Sequence, residues 1–233
     1  MLFGLCAIRG VNMRKLAAVL AGLLMSAGIV LVGAPSASAA SCDGTYTIVV
    51  GGFTDRDSTI FTGAGISQRV GYSAELNSQS ARQGVDELNR LIRNQRAACP
   101  GQHAKAVGFS EGAAVVHIWV TENWKTFDNV NAVLIADPKR DPHGLGGPGL
   151  AGQAPSVIFG PIVGYPLVGV DSFFGNIPTV SLCTDDIICD EAAASGWIGY
   201  AQHKHTENYN FNVDVYSDNG VGQWFNGQYF PDK

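Results

Sequence analysis

The sequence has few charged residues and no cluster of basic ones. Of its 233 residues only 15% are Asp, Glu, Lys or Arg, and the formal net charge at pH 7 is −5. Because binding to a phosphate backbone requires a concentrated positive patch, we do not expect this chain to bind DNA or RNA. It also has neither an internal repeat nor an interdomain linker. A single domain with a sizeable hydrophobic core is therefore predicted.

The first 39 residues are predicted to be a signal peptide, with translation starting at Met13. A charged segment begins at Met13-Arg14-Lys15, Leu16–Val32 is apolar, and Ala37-Ser38-Ala39 provides the small residues of a cleavage site. Residues 40–233 are then expected to form the exported domain, with no stable membrane span after cleavage.

Cysteine is scarce, and its spacing matches no zinc site. Four cysteines follow the leader: Cys42, Cys99, Cys183 and Cys189. An even number in an exported chain predicts two disulfides rather than a metal site. Three pairings are possible, of which Cys42–Cys99 with Cys183–Cys189 is the simplest. Both the leader and the cysteines predict a secreted protein, located outside the cell or in the cell wall.

Strand and helix patterns alternate along the exported part. Apolar and β-branched runs predict four buried strands, at 45–50, 104–107, 130–136 and 179–182. Helices are predicted over 78–98 and from the end of the second strand to about residue 125. Right-handed crossovers would make this a three-layer α/β/α sandwich with a mostly parallel central sheet. Segment 144–178 is apolar and is expected either to pack on the sheet as a loop or to form a rim for a lipid-like substrate.

The stretch Gly108-Phe109-Ser110-Glu111-Gly112 lies between the second predicted strand and its helix. In that position G-x-S-x-G is typical of the nucleophile elbow of an α/β-hydrolase, in which the serine stands on a turn too sharp for bulky neighbours. Ser110 is therefore the predicted nucleophile. The backbone N–H of Glu111 is the predicted first donor of an oxyanion hole, and Phe53 or Thr54, after the first strand, is the second.

A serine nucleophile needs a histidine base and an acid that orients this base, and in this fold the acid and then the histidine follow the serine. Two histidines occur late enough, His203 and His205. The acid is Asp185 or Asp186, directly after the fourth predicted strand, with Asp137 at the end of the third strand as the rival. A plain turn aspartate is the role expected for Asp137.

The other histidines do not fit the role of the base. His103 precedes Ser110, and the acids just before His143 are too close to it to occupy an independent loop. His117 lies two turns into the predicted helix, which carries it away from the serine. We expect His117 in the core or on the surface.

From Cys42 to about Tyr209 the chain resembles the cutinase-like branch of the α/β-hydrolases. Cys99-Pro100 precedes Ser110 by eleven residues, as in that family. Asp186-Ile187-Ile188-Cys189 places an acid three residues before the second cysteine of a short disulfide loop, and His205-Thr206-Glu207-Asn208-Tyr209 is similar to the family's base loop. The resemblance implies Asp186 and His205 as the acid and the base. This chain differs from the family directly after the nucleophile, where the family usually has Gln and this chain has Glu111.

A second resemblance concerns residues 133–140. The run Val133-Leu134-Ile135-Ala136-Asp137-Pro138-Lys139-Arg140 is similar to the strand and turn after the elbow in the hydrolase domains of mycobacterial PE-PPE proteins. With the leader and the composition, it suggests an actinobacterial protein or one from a phage of such hosts.

Together these resemblances imply a secreted, lidless serine esterase that acts as a monomer without cofactors. Its substrates would be carboxylic esters, lipid-like or from the cell envelope, and the acyl-enzyme would form on Ser110 with His205 and Asp186. Two alternatives remain open. One is an acyltransferase that uses the same triad, and the other is a non-catalytic cell-envelope binding protein on a hydrolase fold.

Overall fold

The computed structural model describes residues 42–152, 169–193 and 204–231, all of which belong to the compact unit Ala40–Lys233. In these ranges seven strands form one sheet: β1 (Thr45–Val50), β2 (Ile66–Arg69), β3 (His103–Phe109), β4 (Val130–Ile135), β5 (Thr179–Cys183), β6 (Gly222–Phe225) and β7 (Gln228–Phe230). The order across the sheet is β2-β1-β3-β4-β5-β6-β7. All neighbours are parallel except β6 and β7, which form an antiparallel hairpin.

The helices of the described part are α1 (Ser78–Ala98), α2 (Glu111–Asn123) and the short α3 (Lys204–Glu207). Asn77 is the N-cap of α1. Its side chain accepts a hydrogen bond of 2.8 Å from the Ser80 N–H and so satisfies a donor that the first helical turn leaves unpaired. The buried stripe of α1 includes Val85, Leu88 and Ile92, whose spacing of three or four residues is that of an amphipathic helix.

The sheet has a hydrophobic core on each face, as the mostly apolar sequences of its central strands predict. Ile48 and Val50 of β1 point toward the face covered by α1 and α2, where Trp119 of α2 is fully buried. Val49 points to the opposite face, which is packed with Phe61 and other apolar side chains. Successive side chains of one strand thus belong to the two cores in turn. The predicted sandwich with a mostly parallel sheet is confirmed.

Four of the seven strands and both long helices were expected from the sequence. β2, β6 and β7 were missed. Both predicted disulfides are confirmed, with Cα–Cα distances of 5.4 Å for Cys42–Cys99 and 5.8 Å for Cys183–Cys189. The predicted signal peptide, residues 153–168 of segment 144–178, and His203 lie outside the described residues. Among the described helices, none is both long and apolar enough to cross a membrane.

Candidate active site

The strand order creates a crevice at the carboxyl ends of β1 and β3. After β1 the chain turns to one side of the sheet to form β2, and after β3 it turns to the other side to form β4. In open α/β sheets, ligands bind at such a reversal because the two loops diverge and leave space between them. Gly52 follows β1 and Ser110 follows β3, so both lie at this crevice.

Ser110 stands on a strained turn between β3 and α2. Its φ is 56° and its ψ is −122°, a conformation that residues other than glycine seldom adopt. The flanking glycines are required by close contacts: a Cβ on Gly108 would lie 2.3 Å from the Gly112 carbonyl oxygen, and one on Gly112 would lie 2.1 Å from the Val50 oxygen. The backbone therefore takes the sharp strand–turn–helix path that the G-x-S-x-G motif predicts.

Asp186 and His205 are in direct contact, although 19 residues separate them. The distance from His205 Nδ1 to Asp186 Oδ2 is 2.7 Å, and the carboxylate is buried. Asp186 also accepts hydrogen bonds from the Tyr209 hydroxyl at 3.0 Å and from the Ile188 N–H at 3.0 Å. Because these bonds hold both carboxylate oxygens, Asp186 can fix the tautomer and the orientation of the imidazole.

The His205 ring lies against Phe109, the residue that precedes Ser110. The ring centroids are 4.6 Å apart and the planes differ by 28°, which is a stacked arrangement. This contact brings the Asp186–His205 pair to the elbow. The sequence marked Phe109 only as the variable second position of the motif, and no local pattern indicated its partner.

Tyr209 is a further residue of the site whose function the sequence did not reveal. Its hydroxyl donates to Asp186 and accepts a hydrogen bond of 3.1 Å from the Thr184 N–H. Burial raises the pKa of Tyr209 well above its ordinary value, and the charge of Asp186 adds to this effect. The phenol therefore stays protonated and remains a donor to the carboxylate.

Two backbone N–H groups are available beside Ser110. The loop after β1 touches the nucleophile, since a Cβ on Gly52 would lie 3.0 Å from the Ser110 Cβ. The Thr54 N–H is already bonded to the Ala74 carbonyl at 2.9 Å, whereas the Phe53 N–H makes no hydrogen bond within the described ranges. As the first residue of α2, Glu111 has an N–H without an acceptor in the helix. The geometry favours Phe53 over Thr54 as the second donor.

The side chain of Glu111 is only 3% exposed, and neither carboxyl oxygen has a hydrogen-bond partner in the described part of the chain. Burial raises the pKa of Glu111 to about 8, and the negative charge of Glu75 adds to this rise. The carboxyl group is therefore neutral at neutral pH. A buried neutral acid does not oppose an oxyanion as a carboxylate would.

Asp137, the rival acid, belongs to a separate cluster. Its Oδ2 lies 2.6 Å from His117 Nδ1, and Asp171 Oδ1 lies 2.9 Å from Nε2 of the same ring. Burial by itself would lower the pKa of His117, but the two carboxylates outweigh it and raise that pKa to about 9. The expected turn role of Asp137 is only part of its function: Oδ1 accepts the Lys139 N–H, and Oδ2 binds the imidazolium.

The remaining described histidines make contacts of their own away from the elbow. His103 bonds to Asn129 and Asn131, and His143 Nε2 lies 2.6 Å from the Ser172 hydroxyl. Among the described residues, no group of three or more His, Cys, Asp or Glu side chains is arranged to hold a metal ion.

Comparison with known proteins relates this geometry to other hydrolases. A cutinase-like protein from Cryptococcus sp. has 20% sequence identity and a TM-score of 0.50, and the match covers 79% of this chain and 99% of the other. A structure of acetyl xylan esterase has 15% identity and a TM-score of 0.46, with coverage of 73% and 97%.

Lysin B from Mycobacteriophage D29 matches at 18% identity and a TM-score of 0.34, over 46% of this chain and 50% of its own. No curated protein sequence matches significantly. The predicted closeness to PE-PPE proteins stays a prediction. The family model described as Cutinase matches residues 27–215, and this chain therefore belongs to the cutinase family of carboxylic-ester hydrolases.

Proposed function

We propose that this chain is a secreted serine esterase in which Ser110, His205 and Asp186 form the catalytic triad. The observation that carries the proposal is the placement of one ring. His205 is hydrogen-bonded to Asp186 through Nδ1 at 2.7 Å and stacks on Phe109, the neighbour of Ser110 in the chain. A histidine oriented by a buried carboxylate next to a strained serine is the arrangement that activates a hydroxyl for acyl transfer.

In the first half of the reaction the Ser110 Oγ attacks the acyl carbon of the ester. Its proton passes to His205 Nε2, and Asp186 stabilises the imidazolium that forms. The carbonyl oxygen becomes an oxyanion, which accepts hydrogen bonds from the Phe53 and Glu111 N–H groups. The C–O bond to the alcohol then breaks, and His205 returns the proton to the departing oxygen.

In the second half water repeats the sequence with His205 as the base. The base removes a proton from water, the hydroxyl oxygen attacks the acyl carbon, and Ser110 leaves with the proton that His205 donates. An alcohol in place of water would make the same chemistry an acyl transfer.

Two exposed apolar side chains beside the crevice support a substrate with an apolar acyl chain. Phe53 is 49% exposed and Leu76 is 40% exposed, and their loops are joined by the bond from the Thr54 N–H to the Ala74 carbonyl. An apolar surface next to a nucleophile stabilises a bound acyl chain by removing both from water. The two disulfides support an oxidising compartment and hence secretion.

The first test is Ser110→Ala. We expect kcat/KM for a p-nitrophenyl ester to fall by roughly a thousandfold or more, and labelling by a fluorophosphonate probe to disappear, with the melting temperature little changed. Ser172→Ala is a matched control, because Ser172 is hydrogen-bonded to a histidine, His143, at 2.6 Å but does not stand on the strand–turn–helix elbow.

Undiminished turnover by Ser110→Ala, or loss of labelling in Ser172→Ala, would contradict the proposal. A wild-type protein that folds but takes up no probe would favour the non-catalytic alternative. A series of esters from acetate to palmitate, measured with the same protein, defines the preferred acyl length.

A further inference from the structure

Glu111 is an ionisable group beside the nucleophile to which the proposed mechanism gives no side-chain role. Its N–H is a proposed oxyanion donor, so its carboxyl carbon lies within one side-chain length, roughly 5 Å, of that nitrogen. The carboxyl group is buried without a hydrogen-bond partner among the described residues. A carboxylate in this position would be costly, whereas a neutral acid is tolerated.

The groups that face the Glu111 carboxyl are acidic, phenolic or neutral. The loop before α1 contributes Tyr72, whose hydroxyl donates to the Gly51 carbonyl at 2.7 Å, and Glu75. α1 contributes the Ser80 hydroxyl. This hydroxyl interacts with the Glu111 carboxyl more weakly than a full hydrogen bond and offsets part of the rise in the pKa of Glu111. Further out, Asp55 acts with Glu111 on the pKa of Tyr72, and Arg56 pairs with Glu75 at 3.5 Å on the surface. No cation among the described residues is hydrogen-bonded to Glu111.

The protonation state of Glu111 follows from these surroundings. Glu111 lies at the N-terminus of α2, which favours a negative charge and therefore lowers the pKa of the side chain. This effect is weaker than the rise in pKa caused by the loss of hydration on burial. Burial and the nearby Glu75 carboxylate raise the pKa to about 8. Below that pH the side chain is neutral, and above it a negative charge forms inside the protein.

We propose that the Glu111 side chain must stay protonated for catalysis, and that its ionisation sets an alkaline limit to the reaction. The proposal rests on the assignment of Ser110 and the oxyanion hole above. A negative charge within several ångströms of the developing oxyanion opposes it electrostatically. At the effective dielectric constant of a partly buried site, this repulsion corresponds to a loss of rate of about tenfold to a hundredfold.

The experiment is a pH–rate profile from pH 5 to 10 for the wild type and Glu111→Gln. Both should show the acid limb that the base His205 produces. The wild type should also lose activity as the pH rises through about 8, the pKa of Glu111, whereas Glu111→Gln should not. Glutamine has nearly the shape of the neutral acid and cannot ionise, and it is the residue usual at this position in the family.

Glu75→Gln serves as the directional control. Removing the Glu75 charge lowers the pKa of Glu111, so the alkaline limb should move to lower pH without disappearing. Glu111→Ala should also lack the alkaline limb while losing activity evenly across the pH range, which keeps the test available if the glutamine variant folds poorly. Melting curves at each pH separate loss of rate from unfolding.

An alkaline limb that is the same in Glu111→Gln and Glu111→Ala as in the wild type overturns the proposal, as does a wild-type profile that stays flat to pH 10. These outcomes differ from failure of the proposed function. If Ser110→Ala retains activity, the triad itself is wrong whatever the pH profiles show. If Ser110→Ala is inactive and the limb is unchanged, only the role of Glu111 is wrong.

Discussion

Two histidine–carboxylate groups in this protein are built from the same residue types and have opposite properties. In one, the 12% exposed side chain of His205 is bonded to Asp186 through Nδ1 and lies at the crevice. In the other, His117 is fully buried and both of its ring nitrogens are bonded to carboxylates, those of Asp137 and Asp171. A short hydrogen bond between histidine and aspartate therefore does not identify a catalytic pair.

The two carboxylates bound to its ring limit what His117 can do. With a negative group on each nitrogen, His117 holds its proton up to a pH of about 9 and has no nitrogen left to act as a base. It instead ties α2 to the segment after β4 and to residue 171. In the contact between Asp186 and His205, the carboxylate lies on Nδ1 and fixes the tautomer that a general base requires.

The largest effect is expected from the catalytic pair. His205→Ala should lower kcat/KM for a nitrophenyl ester by about a thousandfold or more and abolish the acid limb of the rate profile, because the proposed mechanism has no other base to remove the proton from Ser110. His203→Ala, two residues earlier, is the matched control and should change activity by less than about tenfold. The reverse pattern in the two variants would move the base to His203 and leave the enzyme class intact.

The second prediction concerns the pH dependence of stability. Because folding raises the pKa of His117 from 6.5 to about 9, its stabilisation is complete below pH 6.5 and is lost as the pH rises through 9. The amount is of order 3 kcal/mol. His117→Gln should lower the free energy of unfolding by a similar amount at pH 6 and should flatten its fall between pH 6.5 and 9, as urea unfolding with the disulfides intact can measure.

At temperatures well below its melting point, His117→Gln should retain esterase activity to within about tenfold. If the free energy of unfolding falls equally with pH in the wild type and in His117→Gln between pH 6.5 and 9, His117 is not the group that titrates. A collapse of kcat in a folded His117→Gln protein would remove the distinction between the two histidine clusters.

The smallest of the expected effects concerns the disulfide loop around Asp186, a feature that Asp137 lacks. Both carboxylates are buried and hydrogen-bonded, but Asp186 also stands inside the covalent loop closed by Cys183 and Cys189. Replacing both of these cysteines by serine should lower the free energy of unfolding by about 2.4 kcal/mol on the chain-entropy model. It should also lower kcat in the protein that remains folded, because the Asp186 carboxylate loses its fixed direction.

Replacement of Cys42 and Cys99 is the control for this loop. That bridge joins the start of β1 to the end of α1, at the edge of the sheet opposite the crevice. Its removal should lower the melting temperature and leave kcat nearly unchanged. Equal losses of kcat in the two double variants would mean that the short loop has no particular role in orienting Asp186.

How much of this could be predicted from the sequence depends on how local each signal is. β1, β3, β4 and β5 are short runs rich in apolar and β-branched residues, and the predicted bounds of α1 agree with the structure. β2 reads Ile-Ser-Gln-Arg, too short and polar to predict a strand, and it forms because β1 offers an edge for pairing. The hairpin of β6 and β7 did have a local signal, the Asn226-Gly227 turn, which is typical of two-residue hairpin loops.

Contacts between distant residues were beyond the sequence. Asp171 lies 54 residues from His117, and no periodicity links the two. The stacking of His205 on Phe109 spans 96 residues in the same way. What the sequence did predict was which acid and which histidine come together, because a family resemblance supplies long-range information that composition and periodicity lack.

The contact between Gly112 and Val50 has a consequence for how the enzyme meets its substrate. A Cβ at Gly112 would overlap the Val50 carbonyl oxygen, so the backbones of α2 and β1 touch with no side chain between them. The two proposed oxyanion donors lie beside this contact: Glu111 is the first residue of α2, and Phe53 is in the loop that follows β1. Their spacing is therefore set when the protein folds rather than when the ester arrives. In water, solvent dipoles would have to reorient around the new negative charge. The proposed N–H donors are already oriented before the reaction begins, so this cost does not arise.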